Sequence, residues 1–388
     1  MTALNRPLNV CFVCFAGYPD QGATYAYEMS QSVAGAGHAV TVIAVRRNGE
    51  PVSERHGGLT VRRLDAPLTM QWASIARWLG KFRFFFKAAR LIRSGRFDVV
   101  HVYCTLGAFV LPALAGRSPK WIQEHQTGAV SARSAIVRAL EDRLRAFQGR
   151  FFDLNLTVTK ALGERLFGDR VHFEEMPAGV NLRLFRPGLA RDFRTERGIP
   201  VGDVVFVHAG VLERMRATDV PVRAFARAFA ENNRMWLLMP GKGAQLEELR
   251  VLAQELGVAD RVWLPGYVPY QELPRIFAAA DAGLSYLPPV TYYEGQPPMK
   301  VMEYMGSGLP VIATDVSGHR GLVRDGENGL LVPPGDDYYA RALADFAADP
   351  NLRSRLASAA ASSVADITYD HIAEQRLIPA YRRLLAIG

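Results

Sequence analysis

The sequence predicts an α/β chain built from two doubly wound domains, each a parallel sheet covered by helices on both faces. Three observations carry this expectation. At 388 residues the chain exceeds one ordinary core and fits two domains of roughly 150–200 residues. Continuous Val/Ile-rich runs alternate with helical segments, as strands buried on both faces require. The same alternation stops near Pro187 and then restarts. Apolar residues at 49% and charged residues at 22% supply material for both cores.

Taken in order, "LNVCFVCFA" reads as a buried strand, "GYPDQGA" as a loop and "TYAYEMSQSVAGAG" as a helix closed by glycine. "HAVTVIAV", "FDVVHVY", "KWIQEHQ" and "DLNLTVT" follow as strands. After the loop "LFRPGLARD" come "DVVFVHAG", "NRMWLLMPG", "RVWLPGY", "AGLSYLP", "LPVIATD" and "GLLVPPG". The expected domains are 1–187 and 188–368, with 369–388 as a helix packing back on the first. Such sheets bind ligands at the carboxyl ends of their strands, so a cleft between two facing domains is the expected site.

The N-terminus carries one early basic residue, Arg6, and a short apolar run that reads as a strand instead of a signal peptide. No stretch approaches the roughly 18 apolar residues of a membrane span. The expectation is a cytoplasmic protein. Three cysteines, Cys11, Cys14 and Cys104, suit a reducing compartment. A strand sends Cys11 and Cys14, three apart, to opposite faces, so this CxxC reads as buried thiols.

The net charge of +8 is unevenly spread. No acid stands between Asp65 and Asp98, while Arg77, Lys81, Arg83, Lys87, Arg90, Arg93 and Arg96 alternate with aromatics. Trp78, Phe82, Phe85, Ala89 and Ile92 follow helical spacing. One reading is a helix packed through that stripe with a solvated basic face. The other is a surface, from Trp72 to Arg96, that docks on anionic lipid at the inner face of a membrane. Nucleic-acid binding is not expected, because no recognition motif accompanies the charge.

The stretch "YYEGQPPMKVMEYMGSGLPVIATD" carries the chemistry. Pro297 and Pro298 suit a helix entry, Met299 to Met305 a short helix, and Gly306 and Gly308 its end. Free amides near Pro298–Val301 would then form an anion site at the mouth of a strand. Glu303, one turn in, can accept hydrogen bonds from a vicinal diol. Phosphate and ribose diol together describe a sugar nucleotide. Taken alone, a glutamate complementing the helix dipole fits equally well.

The stretch resembles the hallmark of retaining GT-B glycosyltransferases of glycosyltransferase family four: two glutamates separated by seven residues, then a small residue, Gly, Pro and an apolar strand. "KVMEYMGSGLPVIATD" matches its second half. The likeness runs through "GYPDQGATYAYEMSQSVAGAGHAVTVIA", "FDVVHVY", "MPAGVNLRLFRP", "GYVPYQELPRIFAAADAGLSYLPP" and "GLVRDGENGLLVPPGDD", ending in "YDHIAEQRLIPAYRRLL". It implies two Rossmann-like domains facing across a cleft, the first toward the acceptor and the second holding the nucleotide sugar.

The chain departs from the pattern twice. The first glutamate falls on Gly295, with Glu294 one place earlier, and Glu294 is assigned its role on the 3- or 4-hydroxyl of the sugar. In "GVLERMRATDV", Arg216 takes the place of the phosphate-binding lysine and Val211 that of the arginine. Arg214 is the reserve cation and Lys300 a second positive charge. The resemblance also marks Gly22 as a glycine approaching the donor phosphates and His125 as a contact to the donor sugar, with Glu124 beside it. It places Gly241 and Gly243 near the nucleotide. Asp336 and Asp337 read as helix-start acids, not as metal ligands.

The resemblance implies transfer of a sugar from a nucleoside diphosphate to an acceptor with retention, without metal or other cofactor. The acceptor is a lipid-linked or polysaccharide intermediate, or a soluble small molecule. A nucleotide-sugar isomerase or epimerase, and a non-catalytic binding protein, are the readings from other classes.

Overall fold

The computed structural model describes residues 6–18, 24–56, 58–66, 74–103, 105–128, 134–290 and 297–386, with 74–78 as backbone only. Trp72, Trp78, Arg77 and Cys104 of the sequence reading therefore lie outside the described residues or side chains. The chain forms two units, Met1–Ala178 with Tyr369–Gly388, and Gly179–Thr368.

The first unit holds strands β1 (Asn9–Val13), β2 (Ala39–Val45), β3 (Ser53–His56) and β4 (Leu59–Leu64). Strands β5 (Val99–Tyr103), β6 (Lys120–His125), β7 (Leu154–Thr157) and β8 (Phe173–Glu175) follow. They align as β3-β4-β2-β1-β5-β6-β7-β8, parallel except for the β3–β4 hairpin. Helices α1 (Thr24–Gly35), α2 (Ser74–Ser94), α3 (Val110–Ala115), α4 (Ala135–Gly149) and α5 (Lys160–Phe167) connect them. Central β1 runs from a half-buried Asn9 into four buried residues. Its Cys11 and Val13 meet Phe84, Phe85 and Trp121 in one core.

Both Cys11 and Cys14 are free and buried. Burial pushes the Cys14 thiol up to about 12 and that of Cys11 higher still, so neither supplies a thiolate.

Helix α2 differs from the expected stripe. Phe84, Phe85, Ala88, Ala89 and Ile92 are buried, but Phe82 is 46% exposed. Gly80, one turn before Phe84, is buried too, so the inward face runs through Gly80, Phe84 and Ala88, and Phe82 falls outside it.

The C-terminal segment joins this unit as α14 (Tyr369–Ile372), a π turn at Ala373–Leu377 and α15 (Ile378–Ala386), whose labels follow eight further helices given below. The Tyr381 hydroxyl lies 2.7 Å from His101 Nδ1, and His101 Nε2 lies 2.9 Å from Glu124 Oε2. All three side chains are buried.

The second unit holds β9 (Val204–Val207), β10 (Met235–Leu238), β11 (Val262–Trp263), β12 (Ala282–Ser285), β13 (Val311–Thr314) and β14 (Gly329–Val332). Their order is β11-β10-β9-β12-β13-β14, all parallel. Its helices are α6 (Asp192–Glu196), α7 (Asp219–Glu231), α8 (Leu246–Glu255) and α9 (Leu273–Ala278). They continue as α10 (Met299–Gly306), α11 (Ser317–Arg320), α12 (Asp336–Ala348) and α13 (Pro350–Ala360). All four residues of β9 are buried, as its place inside the sheet dictates. Phe206 packs at a tilt against Phe346, their ring centroids 5.8 Å apart. Emptying such a site, as in Phe206→Ala, typically costs about 3–5 kcal/mol.

The units divide at Gly179, earlier than Pro187. The backbone decides this: Val180 N–H donates to Ile367 O at 2.9 Å, and Phe185 stacks on Phe277 with centroids 5.5 Å apart. The chain is thus tied to the second core from Val180 onward, and Phe185 anchors the start of the loop that the sequence marks as a linker.

Candidate functional site

Strand order fixes where the second unit binds a ligand. From β9 the chain moves outward through β10 and β11, then returns to β9's other side as β12. This reversal opens a crevice at the carboxyl ends of β9 and β12. Two segments meet there: the loop after β9, which begins with His208, and α10.

A buried tyrosine holds them together. The Ala209 N–H donates to the Tyr304 hydroxyl at 2.6 Å, and Gly283 in β12 leaves room for the Tyr304 ring, where a Cβ would come within 2.2 Å. Behind the ring, Gly308 turns the chain out of α10 at a φ of 82°, and its N–H donates to Met305 O at 2.9 Å.

These ties set Lys300 Nζ 3.3 Å from His208 Nε2. Burial first, then the charge of Arg216, lowers Lys300 to about 7, while Glu303 works the other way. Burial, then Lys300 and Arg216, keep His208 well below its usual range, so its ring stays neutral. Two side-chain cations therefore converge beside a neutral imidazole. Such a field disfavours any further positive charge and favours an anion.

Arg216 ends a short 3-10 turn, Arg214–Arg216. The next residue, Ala217, adopts a φ of 49° and is the non-glycine residue at positive φ among those described. An alanine held in the left-handed region costs about 1–2 kcal/mol, so the surrounding contacts impose the turn. Thr218, fully turned inward, donates its hydroxyl to Gln245 Oε1 at 2.7 Å.

Two family models match this chain. That described as glycosyl transferases group 1 covers residues 190–363, and that described as glycosyltransferase family 4 covers 22–184. The chain belongs to the group 1 glycosyltransferases. The chain is 31% identical over 221 residues to a D-inositol 3-phosphate glycosyltransferase of Acidothermus cellulolyticus, covering 54% of this chain and 48% of that protein. A relative of the same description from Catenulispora acidiphila is 28% identical, with 87% of this chain and 84% of the relative covered. One from Nocardia farcinica is 29% identical, covering 72% of this chain and 60% of the relative. In the first and last of these matches the chain spans about half to three fifths of the relative's length.

Among solved structures, sucrose-phosphate synthase of Thermosynechococcus elongatus superposes with a TM-score of 0.79 at 20% identity, covering 98% of this chain and 100% of that one. Anabaena HepE with UDP and glucose gives 0.77 at 17% identity, covering 96% and 99%. The fold of this chain is thus GT-B: α/β, with two Rossmann-like sheets, parallel but for the β3–β4 hairpin.

Several residues expected from the sequence stand in the crevice. Lys300, Arg216 and Glu303 are coupled there through the field on Lys300. Glu303 is 8% exposed, on the first turns of α10.

Val301 is a correction. Its N–H donates to Pro298 O at 3.0 Å and its side chain is buried, so the tight first turn of α10 consumes that amide. The proline N-cap offers no N–H of its own. Met299 and Lys300 remain as candidate amides at this end.

Gly241 and Gly243 answer to a different constraint. A Cβ on Gly241 would lie 1.9 Å from Gly210 O, and one on Gly243 2.0 Å from Leu212 O. The two loops after β9 and β10 pack backbone to backbone, with Leu212 N–H donating to Lys242 O at 2.9 Å. These glycines shape the Arg216 loop from behind.

Arg214 is exposed and pairs with Glu248 at 2.8 Å. Asp336 and Asp337 open α12 and pair with Arg223 and Arg227. Glu294 and Gly22 lie outside the described residues.

His125, in the first unit, ends β6 and is wholly buried. Its Nε2 contacts Gln123 Nε2, and its Nδ1 has no hydrogen-bond partner among the described residues. Burial first, then Arg145, lowers it to about 3, so the ring is neutral. In this structure the ring offers no surface to a sugar. Neighbouring Glu124 is engaged by His101.

His208 was not singled out from the sequence. The available signal was its position, directly after the buried run "VVFV" at a strand's carboxyl end.

Proposed function

We propose that this chain transfers a sugar from a nucleoside diphosphate to an acceptor, with retention at the anomeric carbon and without a metal ion. The observation that carries the proposal is Lys300, a lysine brought to about 7 by burial and Arg216 at the carboxyl ends of β9 and β12. A protein pays for such a cation pair where a diphosphate will neutralise it.

In this reading Arg216 and Lys300 hold the two phosphates and Glu303 accepts from the ribose hydroxyls. Glu294 orients the sugar 3- or 4-hydroxyl. The bond from the anomeric carbon to the phosphate oxygen breaks as the acceptor oxygen bonds to that carbon on the same face. The departing phosphate takes the acceptor proton. Charge then grows on the diphosphate, where two fixed cations stabilise it more in the transition state than in the ground state. His125, neutral and buried, makes no contact with the sugar in this reading.

HepE is solved with UDP and a starch synthase with ADP, which makes these two nucleotides the first donors to try. The description of the curated relatives makes inositol 3-phosphate the first soluble acceptor. A lipid-linked acceptor is the other class.

The test incubates the protein with UDP-, ADP- and GDP-sugars alone, then with acceptor. Sugar transfer only when acceptor is present supports the proposal. Conversion of donor alone points to an isomerase or epimerase. Tight donor binding with no turnover under any pairing points to a binding protein.

A further inference from the structure

Helix α4 is inside out. It buries only Gln148 and Gly149, while Ile136, Leu140, Leu144 and Phe147 are exposed, Ile136 to 83%. These four recur at spacings of four, four and three, so they form one stripe. The polar face turns toward the protein instead: Asp142 Oδ2 lies 3.8 Å from Arg165 Nη2. Ser134 starts the helix, accepting from the Val137 N–H at 3.2 Å, so the outward face is no product of a frayed end.

The stripe continues beyond α4. Phe147 meets Phe151 with ring centroids 5.4 Å apart, and Phe151 meets Phe109 at 5.5 Å. Both Phe109 and Phe151 line a groove of about 620 Å³, walled opposite by Phe82 and Phe86 of α2. Phe86 is 55% exposed, and Leu79 two turns earlier is also exposed. An apolar stripe on one helix thus runs into an apolar groove under another. An exposed patch of this continuity marks an interaction surface.

Charge identifies the occupant. Among their described side chains, the groove-side helix α2 carries Lys81, Arg83, Lys87, Arg90 and Arg93 and no acid. Arg143 and Arg150 flank the α4 stripe and are exposed. A second copy docked face to face would set α2 cations against α2 cations, which repel. An anionic leaflet supplies the opposite charge along the whole rim and hydrocarbon for the stripe, with the arginine stems reaching up to the headgroups.

We propose that this face of the first unit is a docking surface for an anionic membrane, with α4 lying in the interface and the α2–α3 groove receiving an acyl chain. It rests on surface residues of the first unit, not on the donor crevice, so it stands or falls separately from the proposed reaction.

The experiment is co-sedimentation of the full chain with vesicles of phosphatidylglycerol in phosphatidylcholine, and of phosphatidylcholine alone, across a salt series. Binding to the anionic vesicles, fading as the screening length drops from about 30 Å to about 8 Å, is expected. Leu140→Gln with Leu144→Gln should weaken it by about tenfold or more, because two exposed leucines leave the hydrocarbon. Phe86→Gln should reduce it through the groove, and Arg90→Gln with Arg93→Gln through charge. All these side chains are exposed, and an unchanged melting temperature and nucleotide-sugar affinity confirm that the variants fold. Absence of binding at low salt overturns the proposal. So does equal binding to neutral vesicles, or binding that the leucine pair leaves unchanged. Sedimentation velocity showing a dimer that the leucine pair dissolves, without vesicle binding, would assign the face to a second copy instead.

Discussion

Raising the pH should release the donor, and Lys300 should be the cause. In the free protein its pKa is about 7, through burial and Arg216. A diphosphate beside it would restore the ordinary value of about 10.4. Binding in the window between these values must therefore take up a proton. Between about pH 7 and pH 9 the protonated fraction of free Lys300 falls from about one half to about one hundredth, so donor affinity should fall about fifty-fold, or ~2.3 kcal/mol. The nucleotide sugar is a suitable probe, because its diphosphate diester does not titrate in this range.

Calorimetry in buffers of different ionisation heat should report uptake approaching one proton per ligand at about pH 8–9. Lys300→Arg should bind with little pH dependence in this window, since guanidinium stays charged. Lys300→Met should bind weakly throughout. The unliganded protein gives an independent check of sign. Between about pH 7 and 10.4 the unfolded chain holds the lysine proton and the folded chain does not. This group alone then makes the free fold more stable as pH rises, opposite to its effect on affinity. A flat affinity from about pH 7 to 9 without proton uptake would refute the reasoning.

Three further outcomes follow from the same geometry. Glu303→Ala should weaken nucleoside diphosphate binding by about 1.5–3 kcal/mol in calorimetry, the worth of hydrogen bonds to a charged group; unchanged affinity would remove the ribose from its place. Arg216→Ala should lower kcat more than it raises the donor KM in steady-state kinetics, because leaving-group charge peaks in the transition state. Tyr381→Phe should cost about 1–3 kcal/mol in urea unfolding, since it strands the His101 Nδ1 that now lies 2.7 Å from the hydroxyl.

The sheets were legible because parallel strands buried on both faces read as unbroken apolar runs, and "DVVFVHAG" and "LPVIATD" became β9 and β13. The crevice was partly legible. Lys300, Glu303 and Arg216 sit in segments whose local pattern, a proline-opened helix and a strand-end loop, survives in sequence. His208 was not, because its role arises from a lysine 92 positions away brought close by strand order. Phe82 points outward because the buried face runs through Gly80, Phe84 and Ala88, and apolar spacing alone does not fix which side of an aromatic-rich helix meets the core. Val301 failed for a local reason: a tight first turn spends an amide that a regular helix would leave open. The outward stripe of α4 runs against the rule that apolar faces turn inward, which is why periodicity alone leaves its direction unspecified.

The pairing of His101 with Tyr381 spans 280 positions, and everything of the second unit is encoded between them. On the ribosome, therefore, the first sheet emerges early but waits for its last buried partner. The Gly179–Thr368 unit is contiguous and has all its own core residues available before residue 369 is added. Synthesis order and completion order are thereby inverted: the unit begun first is finished last. Translation that stalls before residue 369 would release one complete unit and one whose buried histidine and glutamate are open to water.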